Sequence, residues 1–553
     1  MTVSADERFE ALAHQTLGDL LAAQPTLATS LGEHRYDDQL DDAGPAALDT
    51  ERRMLSSHLT ALSALDRSGL NEVNAVDAEV LQARVEERLF ELDQLREHEW
   101  NPLVANPGTA LYLLLARDFA PLPDRLRSLA GRIAAIPAAL ATARSALGAM
   151  PRVHVETAIG QFEGTKHLLT GDVDEALAKA EALRREVDPG RQAAIEAIDE
   201  HVRWLRERLA AIEDGTEPAR DPRIGAELFT AKLAHRLDAA SDADAILARA
   251  EADLERVTEQ IGEVAARLRG GPSGTGTPEV VRAVLDELAD EHPDNDTIVG
   301  LARDTLATAT EFVRGNELVT VYDDPVEIIV MPEIHRGVAV AYCDPPGPLE
   351  TVSLPTFYAI SPTPSDWPPE RVASFFREYN SHMIHNLTVH EAIPGHVLQL
   401  DHARRFEAPT QVRAAFWSGP FSEGWAVYAE EVMTGAGYGG DPVRMQQLKM
   451  QLRMIINAIL DARVHAYGMT EAEAMALMTG RGHQEEGEAV GKWRRALLTS
   501  AQLSTYYVGY IELSDVARDL AAARPNLTMR ERHDAMLGHG SLAPRHLRTL
   551  LGL

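Results

Sequence analysis

Two histidines and a glutamate in the second half of the chain form the most distinctive chemical motif of the sequence. The segment T-V-H-E-A-I-P-G-H-V-L-Q contains His390, Glu391 and His396, with Pro394 and Gly395 between the two histidines. Imidazole nitrogens bind Zn²⁺ well, and a carboxylate beside such an ion can take a proton from water. A His-Glu pair on a helix therefore indicates the start of a zinc-hydrolase site.

The spacing of the two histidines departs from the usual zinc signature, in which the second histidine follows four residues after the first. His396 follows His390 by six residues. On a straight helix, six positions leave two side chains about 120° apart, too far round to share an ion. Pro394 lacks an amide donor and Gly395 tolerates unusual dihedral angles. We therefore predict that the helix breaks at this Pro-Gly step and that the break turns His396 toward His390.

A third metal ligand is expected to be a carboxylate on another helix. Twenty-seven residues after His396, the segment P-F-S-E-G-W-A-V-Y-A-E-E supplies Glu423 and Glu430. Ser422 predicts a helix cap, which would place Glu423 in the first turn. Glu423 is then either a metal ligand or a charge that favours a helix N-terminus. Glu430, two turns further on, either contacts a ligand or faces solvent.

These two motifs resemble those of the bacterial domain of unknown function 885 family, which are H-E-x-x-P-G-H and E-G-W-x-x-Y-x-E. Similarity continues in D-A-R-V-H at residues 461–465 and Q-L-S-T-Y-Y-V-G at residues 502–509, and it extends through most of the chain. The family is thought to share the mostly helical fold of oligopeptidases and thermostable carboxypeptidases. In those enzymes two histidines and a downstream glutamate hold zinc. The resemblance implies a Zn²⁺-dependent peptidase whose metal ligands are His390, His396 and Glu423.

The same resemblance suggests roles for residues around the ion. Glu391 is expected to act as general base on a zinc-bound water and to return the proton to the leaving amine. Tyr506 and His465 are candidate donors to the developing oxyanion, although each could equally be a hydrogen-bonded core residue. The sequence leaves open whether Tyr506 or Tyr507 faces the site.

Substrate-binding residues are predicted on more general grounds. Extended peptides often add a strand to a sheet edge. We predict that G-V-A-V-A-Y at residues 337–342, which ends in Tyr342, is the edge strand that binds the substrate; the alternative is that it is an ordinary strand of the sheet. Arg453 could hold a substrate carboxylate or form an ion pair. His382 and Asn386 precede His390 on the same helix face and could contact the ligands. A short peptide is the expected substrate, and endopeptidase or exopeptidase action stays open.

The elements that must position these residues are predicted to be mainly α-helical. We expect a large multi-helix, oligopeptidase-like architecture with one small antiparallel β-sheet beside the active-site helix. Residue composition and hydrophobic periodicity divide the sequence into three regions. They are a helical region 1–316, a strand-rich region 317–368 that includes L-V-T-V-Y at 318–322, and a helical metal-site region 369–553. The alternative is that these three regions form one continuous catalytic fold.

Local signals refine the helical regions. Apolar residues from Leu247 to Leu268 recur at helical spacing and predict one amphipathic helix. G-G-P-S-G-T-G-T from Gly270 predicts a loop after it. Pro189-Gly190 is expected to separate two helices.

Composition bounds the classes of function. The 553 residues carry 53 Lys and Arg against 85 Asp and Glu, a net charge of −32, which argues against nucleic acid or an anionic membrane as a partner. Cys343 is the single cysteine, so the chain forms no internal disulfide. The sequence shows no signal peptide and no long apolar segment, which predicts a cytoplasmic location. The oligomeric state, including a homodimer, stays open.

Two other functions fit the same residues. A zinc amidase acting on a non-peptide metabolite would use the same ligands, and a metal-free helical scaffold that binds peptides would keep the motif without the ion. A di-iron carboxylate protein is disfavoured, because none of the 20 histidines has a glutamate three positions before it. Cys343 precedes Asp344 and two prolines and is interpreted as structural rather than nucleophilic.

Overall fold

The computed structural model describes residues 4–238, 243–331, 340–364 and 367–553. Within them the chain is mainly helical, as predicted, and it forms two compact units. The first unit consists of Met1–Pro222, Pro346–Leu354 and Ala408–Phe416. The second unit consists of Arg223–Pro345, Pro355–Glu407 and Trp417–Leu553. Both units therefore draw on more than one stretch of the sequence.

Nine of the described α-helices, in the N-terminal part of the chain, belong to the first unit, and apolar side chains of the last five form one hydrophobic cluster in its core. They are α1 (Ala5–Ala23), α2 (Pro25–Leu31), α3 (Pro45–Ser63), α4 (Glu72–Phe90), α5 (Gly108–Ala116), α6 (Leu122–Ala146), α7 (Arg152–Thr170), α8 (Asp172–Ala178) and α9 (Arg184–Glu213). The predicted break at Pro189 is wrong, because α9 continues through it. Pro189 lies near the start of the helix, where its missing amide costs a single backbone hydrogen bond.

The second unit begins with four helices and a small sheet. These are α10 (Ala226–Leu237), α11 (Ala243–Leu268), α12 (Pro278–Ala289), α13 (Ile298–Gly315), β1 (Val326–Val330), β2 (Ala341–Asp344) and β3 (Thr356–Ile360). The predicted amphipathic helix is α11, whose residues Leu254, Val257 and Ile261 are buried, and the predicted loop at Gly270 follows it.

Eleven further helices complete the description of the chain, and all but the single turn α17 belong to the second unit. They are α14 (Pro369–Glu378), α15 (Ser381–Glu391), α16 (His396–Ala403), α17 (Val412–Ala415), α18 (Gly419–Gly435), α19 (Gly440–Tyr467), α20 (Glu471–Gly480), α21 (Glu486–Leu498), α22 (Ser504–Ala523), α23 (Met529–Leu537) and α24 (Pro544–Leu551). Helix α19 is the most buried of the site-bearing helices and crosses the core of this unit.

The small sheet is mixed rather than mostly antiparallel. Its strand order is β1-β3-β2, with β1 parallel to β3 and β2 antiparallel to β3. The long segment between β1 and β3 returns the chain to the same end of the sheet, so these two strands run in one direction. Strand β2 lies beside the end of α15 because Cys343 N donates a hydrogen bond to Glu391.

The predicted strand L-V-T-V-Y at residues 318–322 does not form. Its backbone is instead bound by side chains from distant helices: Thr320 N donates to Asp534 at 2.9 Å, Thr320 O lies 2.8 Å from His402 Nε2, and Leu318 O lies 2.7 Å from His533 Nδ1. These groups satisfy the polar backbone atoms that a neighbouring strand would otherwise bind.

Helices α18 and α22 approach each other unusually closely through two glycines. A Cβ atom on Gly424 would lie 2.3 Å from the carbonyl carbon of Gly509, and one on Gly509 would lie 1.9 Å from Pro420 O. Only glycine fits at such a contact. The close approach brings Glu423, beside Gly424, to the same side as Tyr506, one turn before Gly509.

Candidate metal centre

The break between the two histidines occurs where the sequence predicts it. Helix α15 ends at Glu391 and α16 begins at His396. Gly395 N donates to Val389 O at 2.9 Å, which folds the chain back over the last turn of α15. A Cβ on Gly395 would lie 1.9 Å from His390 O, so no other residue fits there. The fold-back brings His396 to the side of α15 that carries His390.

Helix α18 is fixed to this fold-back by a tryptophan. The Trp425 indole is 1% exposed, and its Nε1 donates a hydrogen bond of 2.8 Å to Pro394 O. The buried contact satisfies the carbonyl that the broken helix leaves without a helical partner. It also sets the position of Glu423, two residues earlier on α18, relative to the histidines.

Three side chains converge as a result. Oε2 of Glu423 lies 3.6 Å from Nε2 of His390 and 3.5 Å from Nε2 of His396. The three ligand atoms all lie within 4.8 Å of one another. Glu423 Oε2 is buried and has no hydrogen-bond partner in the part of the chain that the structure describes. Two imidazole nitrogens and one carboxylate oxygen are donors that could hold a zinc ion.

A second carboxylate orients one of the imidazoles. Glu430, 2% exposed, lies with its Oε1 2.7 Å from His390 Nδ1, and its Oε2 accepts a 2.7 Å hydrogen bond from Asn386 Nδ2. With the proton on Nδ1, the lone pair of His390 Nε2 faces Glu423 and is free to bind a metal. The solvent-facing interpretation of Glu430 is therefore wrong, and Asn386 contacts this carboxylate.

The carboxylates dominate the electrostatics of His390. Burial lowers the pKa of this imidazole, but Glu423 and Glu430 outweigh burial and hold the pKa well above its ordinary value. Burial raises the pKa of Glu423, but the close contacts with His390 and His396 outweigh burial and lower the pKa well below its usual range. The site therefore stabilises a negative charge on Glu423 and a cation beside it, as a metal-binding site requires.

The helix cap predicted at Ser422 is wrong. Helix α18 starts at Gly419, and Ser418 caps it by accepting a 3.2 Å hydrogen bond from Phe421 N. Ser422 lies inside the helix, where its hydroxyl is 3.3 Å from His396 Nδ1. The serine thus contacts Nδ1 of the second imidazole, whose other nitrogen, Nε2, lies near Glu423.

The carboxylate of Glu391 lies at the end of α15 next to the ligands. Its Oε2 accepts a 3.0 Å hydrogen bond from Cys343 N on β2. Burial raises the pKa of Glu391 above its ordinary value, while the two histidines act in the opposite direction. Burial also raises the pKa of the Cys343 thiol, which keeps it protonated.

Of the two adjacent tyrosines, Tyr506 is the one that faces the charge of Glu423. The charge of Glu423, followed by burial, raises the pKa of Tyr506. Its hydroxyl lies 3.4 Å from Arg495 Nη2 and 3.5 Å from Gln502 Nε2. Tyr507 points elsewhere and donates to Asp253 at 2.7 Å.

His465 has the contacts of a structural residue. Its Nε2 lies 2.9 Å from Ala496 O and 2.8 Å from Thr499 O, at the end of α21. Burial lowers its pKa, which keeps the ring neutral. One turn earlier on α19, Asp461 accepts hydrogen bonds from Ser504 N at 2.9 Å and Ala501 N at 3.0 Å. Together, Asp461 and His465 hold the segment that leads into α22 and Tyr506. The sequence alone did not predict this positioning role.

The two predicted substrate-binding residues make contacts with other parts of the protein. Arg453 is held in a buried ion-pair group: its guanidinium contacts Glu488 and lies 3.9 Å from Glu378. Tyr342 lies on β2, opposite Ala359 of β3. The first residues of the strand predicted at 337–342 lie outside the described residues.

The fold and the His-His-Glu cluster define a mainly helical protein with a candidate metal centre. The chain belongs to the family described as bacterial protein of unknown function (DUF885), whose model matches residues 25–551. No curated protein sequence matches it. It is similar to a candidate lipoprotein of unknown function from Shewanella oneidensis, with 28% identity over 99% of this chain and 100% of that one and a TM-score of 0.84. A candidate lipoprotein from Colwellia psychrerythraea shares the fold, with a TM-score of 0.80 and 16% identity over 100% of this chain and 99% of that one.

Among the described residues, none of the helices combines the length and the apolar composition that a membrane span needs.

Proposed function

We propose that the chain is a zinc-dependent hydrolase that cleaves the peptide bonds of short peptides. The observation that carries the proposal is the convergence of His390 Nε2, His396 Nε2 and the unpartnered Glu423 Oε2 within 4.8 Å, beside Glu391. Three protein ligands of this kind leave one position on a zinc ion for water or substrate. A buried carboxylate oxygen without a hydrogen bond is costly unless a cation satisfies it.

A zinc ion held there would act as a Lewis acid and lower the pKa of water to about 7. Glu391 accepts the proton of the attacking water and later gives it to the leaving amine. The hydrogen bond from Cys343 N keeps the carboxylate in place, and its burial raises its pKa, so it is a stronger base than an exposed glutamate. Glu430 holds the proton of His390 on Nδ1 throughout.

Tyr506 is assigned the role of oxyanion donor. Its neighbours Arg495 and Gln502 lie within 3.5 Å of the hydroxyl, so the phenol is positioned by polar contacts rather than free to rotate. The raised pKa of Tyr506 keeps its proton available for donation at neutral pH. His465 and Asp461 help to position Tyr506, because their hydrogen bonds hold residues 496–504, which precede it in the chain.

Strand β2 is the proposed docking strand for the substrate. It pairs with β3 along one edge, and Cys343 N on its other edge points to Glu391. A peptide laid along that edge would bring its main chain close to the general base, and such pairing recognises the backbone rather than particular side chains. Arg453 stays a predicted carboxylate ligand, for which a substrate would compete with Glu488.

The experiment is mass spectrometry of a mixed peptide library incubated with zinc-loaded protein. Cleavage is expected for the wild type, and Glu391→Gln is expected to lower turnover by several orders of magnitude with zinc content unchanged. Glu407→Gln, an exposed carboxylate in the loop after α16, is the matched control and should behave as wild type. Cleavage of non-peptide amides alone would favour the amidase, and absence of both zinc and turnover would favour the scaffold.

The location of the hydrolase belongs to the same proposal. The two similar solved structures are described as candidate lipoproteins, which favours a membrane-anchored or exported protein over the cytoplasmic location expected from the sequence. Fractionation of cells that express the untagged chain distinguishes these locations: recovery in the membrane or exported fraction supports the former, and recovery with cytoplasmic markers supports the latter.

A further inference from the structure

A polar cavity of about 490 Å³ lies in the second unit, away from the metal centre. Its walls come from α12, α14, α19 and α20 and from the segment that leads into α21. The volume falls within the range of about 300–1,000 Å³ that small-molecule sites occupy. Asn380, at the start of α15, lines the cavity, whereas His390 lies ten residues along that helix, about 15 Å away.

The floor of the cavity carries two buried carboxamides that have nothing to bind. Gln446 is 1% exposed and Gln484 is 5% exposed, and both line the cavity. Neither the oxygen nor the nitrogen of either side chain has a hydrogen-bond partner in the described ranges of the chain. Four unpaired polar atoms at the floor of one cavity are costly, and a ligand that bonds them recovers that cost.

The charge of the floor is balanced. Lys449 Nζ donates to Glu378 at 2.8 Å, so this buried cation is already neutralised. His483, which also lines the cavity, is neutral at pH 7 because burial lowers its pKa to about 4. A floor of this kind disfavours a compact anion such as phosphate and favours an uncharged group that both donates and accepts hydrogen bonds.

The rim of the cavity differs from the floor. It carries exposed charges of both signs: Arg282 on one side and Glu485 and Glu486 on another, none of which forms an ion pair within the residues that the structure describes. A ligand with one cationic and one anionic end would complement such a rim. A sugar offers no charged ends, whereas a short peptide with free termini offers both.

We propose that this cavity, the amide pocket, binds a short peptide through its main-chain amides, with Gln446 and Gln484 as the residues that recognise them. A carboxamide presents a carbonyl oxygen and an N–H side by side, which is the complement of the C=O and N–H of a peptide group. The inference goes beyond the proposed hydrolase and does not need it, because the pocket contains none of the metal ligands.

The test is calorimetric titration of triglycine into the full-length Glu391→Gln protein, in which turnover does not consume the ligand. Binding is expected, and Gln446→Leu or Gln484→Leu in that background should weaken it tenfold or more, while Gln447→Leu, the next residue on α19 but outside the pocket, should leave it unchanged. Leucine is apolar and comparable in size to glutamine, and it removes the unpaired polar atoms, so the fold should persist. If Gln446→Leu fails to fold, Gln484→Leu, which lies in a loop, still gives the result.

Two further titrations decide between this site and others. The same triglycine titration after removal of metal with a chelator is expected to retain binding that depends on Gln446. Affinity within twofold of the parent in both leucine variants, or binding that disappears with the metal, would place the peptide at the metal centre alone and overturn the proposal. Glucose binding with the same dependence on Gln446 and Gln484 would overturn the assignment to peptides.

Discussion

In the proposed zinc site, Glu430 would orient a ligand without binding the ion itself, and its replacement should weaken zinc binding in a graded way. Its carboxylate is 2% exposed and bonds both His390 Nδ1 and Asn386 Nδ2 at 2.7 Å. Glu430→Gln keeps the shape and one acceptor but removes the charge. Glu430→Ala removes the orientation of the imidazole altogether. We expect zinc affinity to fall about tenfold in the glutamine variant and about a hundredfold in the alanine variant.

The magnitudes follow from the contacts that each change removes. Tenfold and hundredfold losses correspond to about 1.4 and 2.7 kcal/mol of binding free energy. Alanine also leaves the buried donors of His390 and Asn386 unpaired, at about 1–3 kcal/mol each. Because that cost falls on the metal-free and the metal-bound protein alike, it should lower the Tm of both, while the loss of orientation alone lowers the affinity.

Competition with a chromophoric chelator measures the zinc dissociation constant of each variant. Glu431→Gln and Glu431→Ala are matched controls, because this neighbouring glutamate accepts a hydrogen bond from Tyr510 at 2.5 Å on another face of α18. Their zinc affinity should equal that of the wild type. Zinc affinity within twofold of the wild type in Glu430→Ala would refute the idea that this carboxylate orients a metal ligand.

Three further outcomes follow from the structure. Gly424→Ala should destabilise the protein by about 1–3 kcal/mol, seen as a lower Tm, because its Cβ would meet Gly509 at 2.3 Å, whereas Gly435→Ala, in open space, should not. Tyr506→Phe should lower kcat about 100- to 1,000-fold with zinc content unchanged, and an unaltered kcat would remove it from the reaction. Burial lowers the pKa of His533 to about 4. Between about pH 6.5 and pH 4 this histidine is therefore protonated in the unfolded chain but not in the folded one. The free energy of unfolding should fall as the pH falls through that range, by about 2 kcal/mol at pH 5. Urea unfolding measures this: between pH 7 and pH 5 the free energy of unfolding should fall by about 2 kcal/mol less in His533→Gln than in the wild type. An equal fall in the two proteins would contradict the role given to His533.

The part of the site that the sequence predicts correctly is the part that depends on local chemistry. Proline and glycine act on their own backbone, so the helix break between His390 and His396 could be predicted from the spacing and the residue types. The sequence predicts the start of α18 at the wrong residue because Ser418 and Ser422 are both of a type that caps helices well. Pro420, in the first turn after Ser418, is the signal that separates them, since proline favours that position.

The features that sequence reasoning missed depend on distant parts of the chain. Residues 318–322 have strand-like composition, but side chains of α16 and α23 bind their backbone. The parallel pairing of β1 with β3 and the burial of Glu430 under α15 are likewise set by packing between separate elements. Gln446 gave no signal at all, because a buried unpaired carboxamide is recognised only when its surroundings are known.

The zinc content of the purified full-length protein, measured by elemental mass spectrometry after incubation with zinc and removal of the excess, tests the proposed metal site most directly. We expect about one zinc ion per chain in the wild type and in Glu391→Gln, and close to none in Glu423→Ala. Zinc retained at one per chain in Glu423→Ala, or no zinc in the wild type, would contradict the claim that His390, His396 and Glu423 together hold the ion.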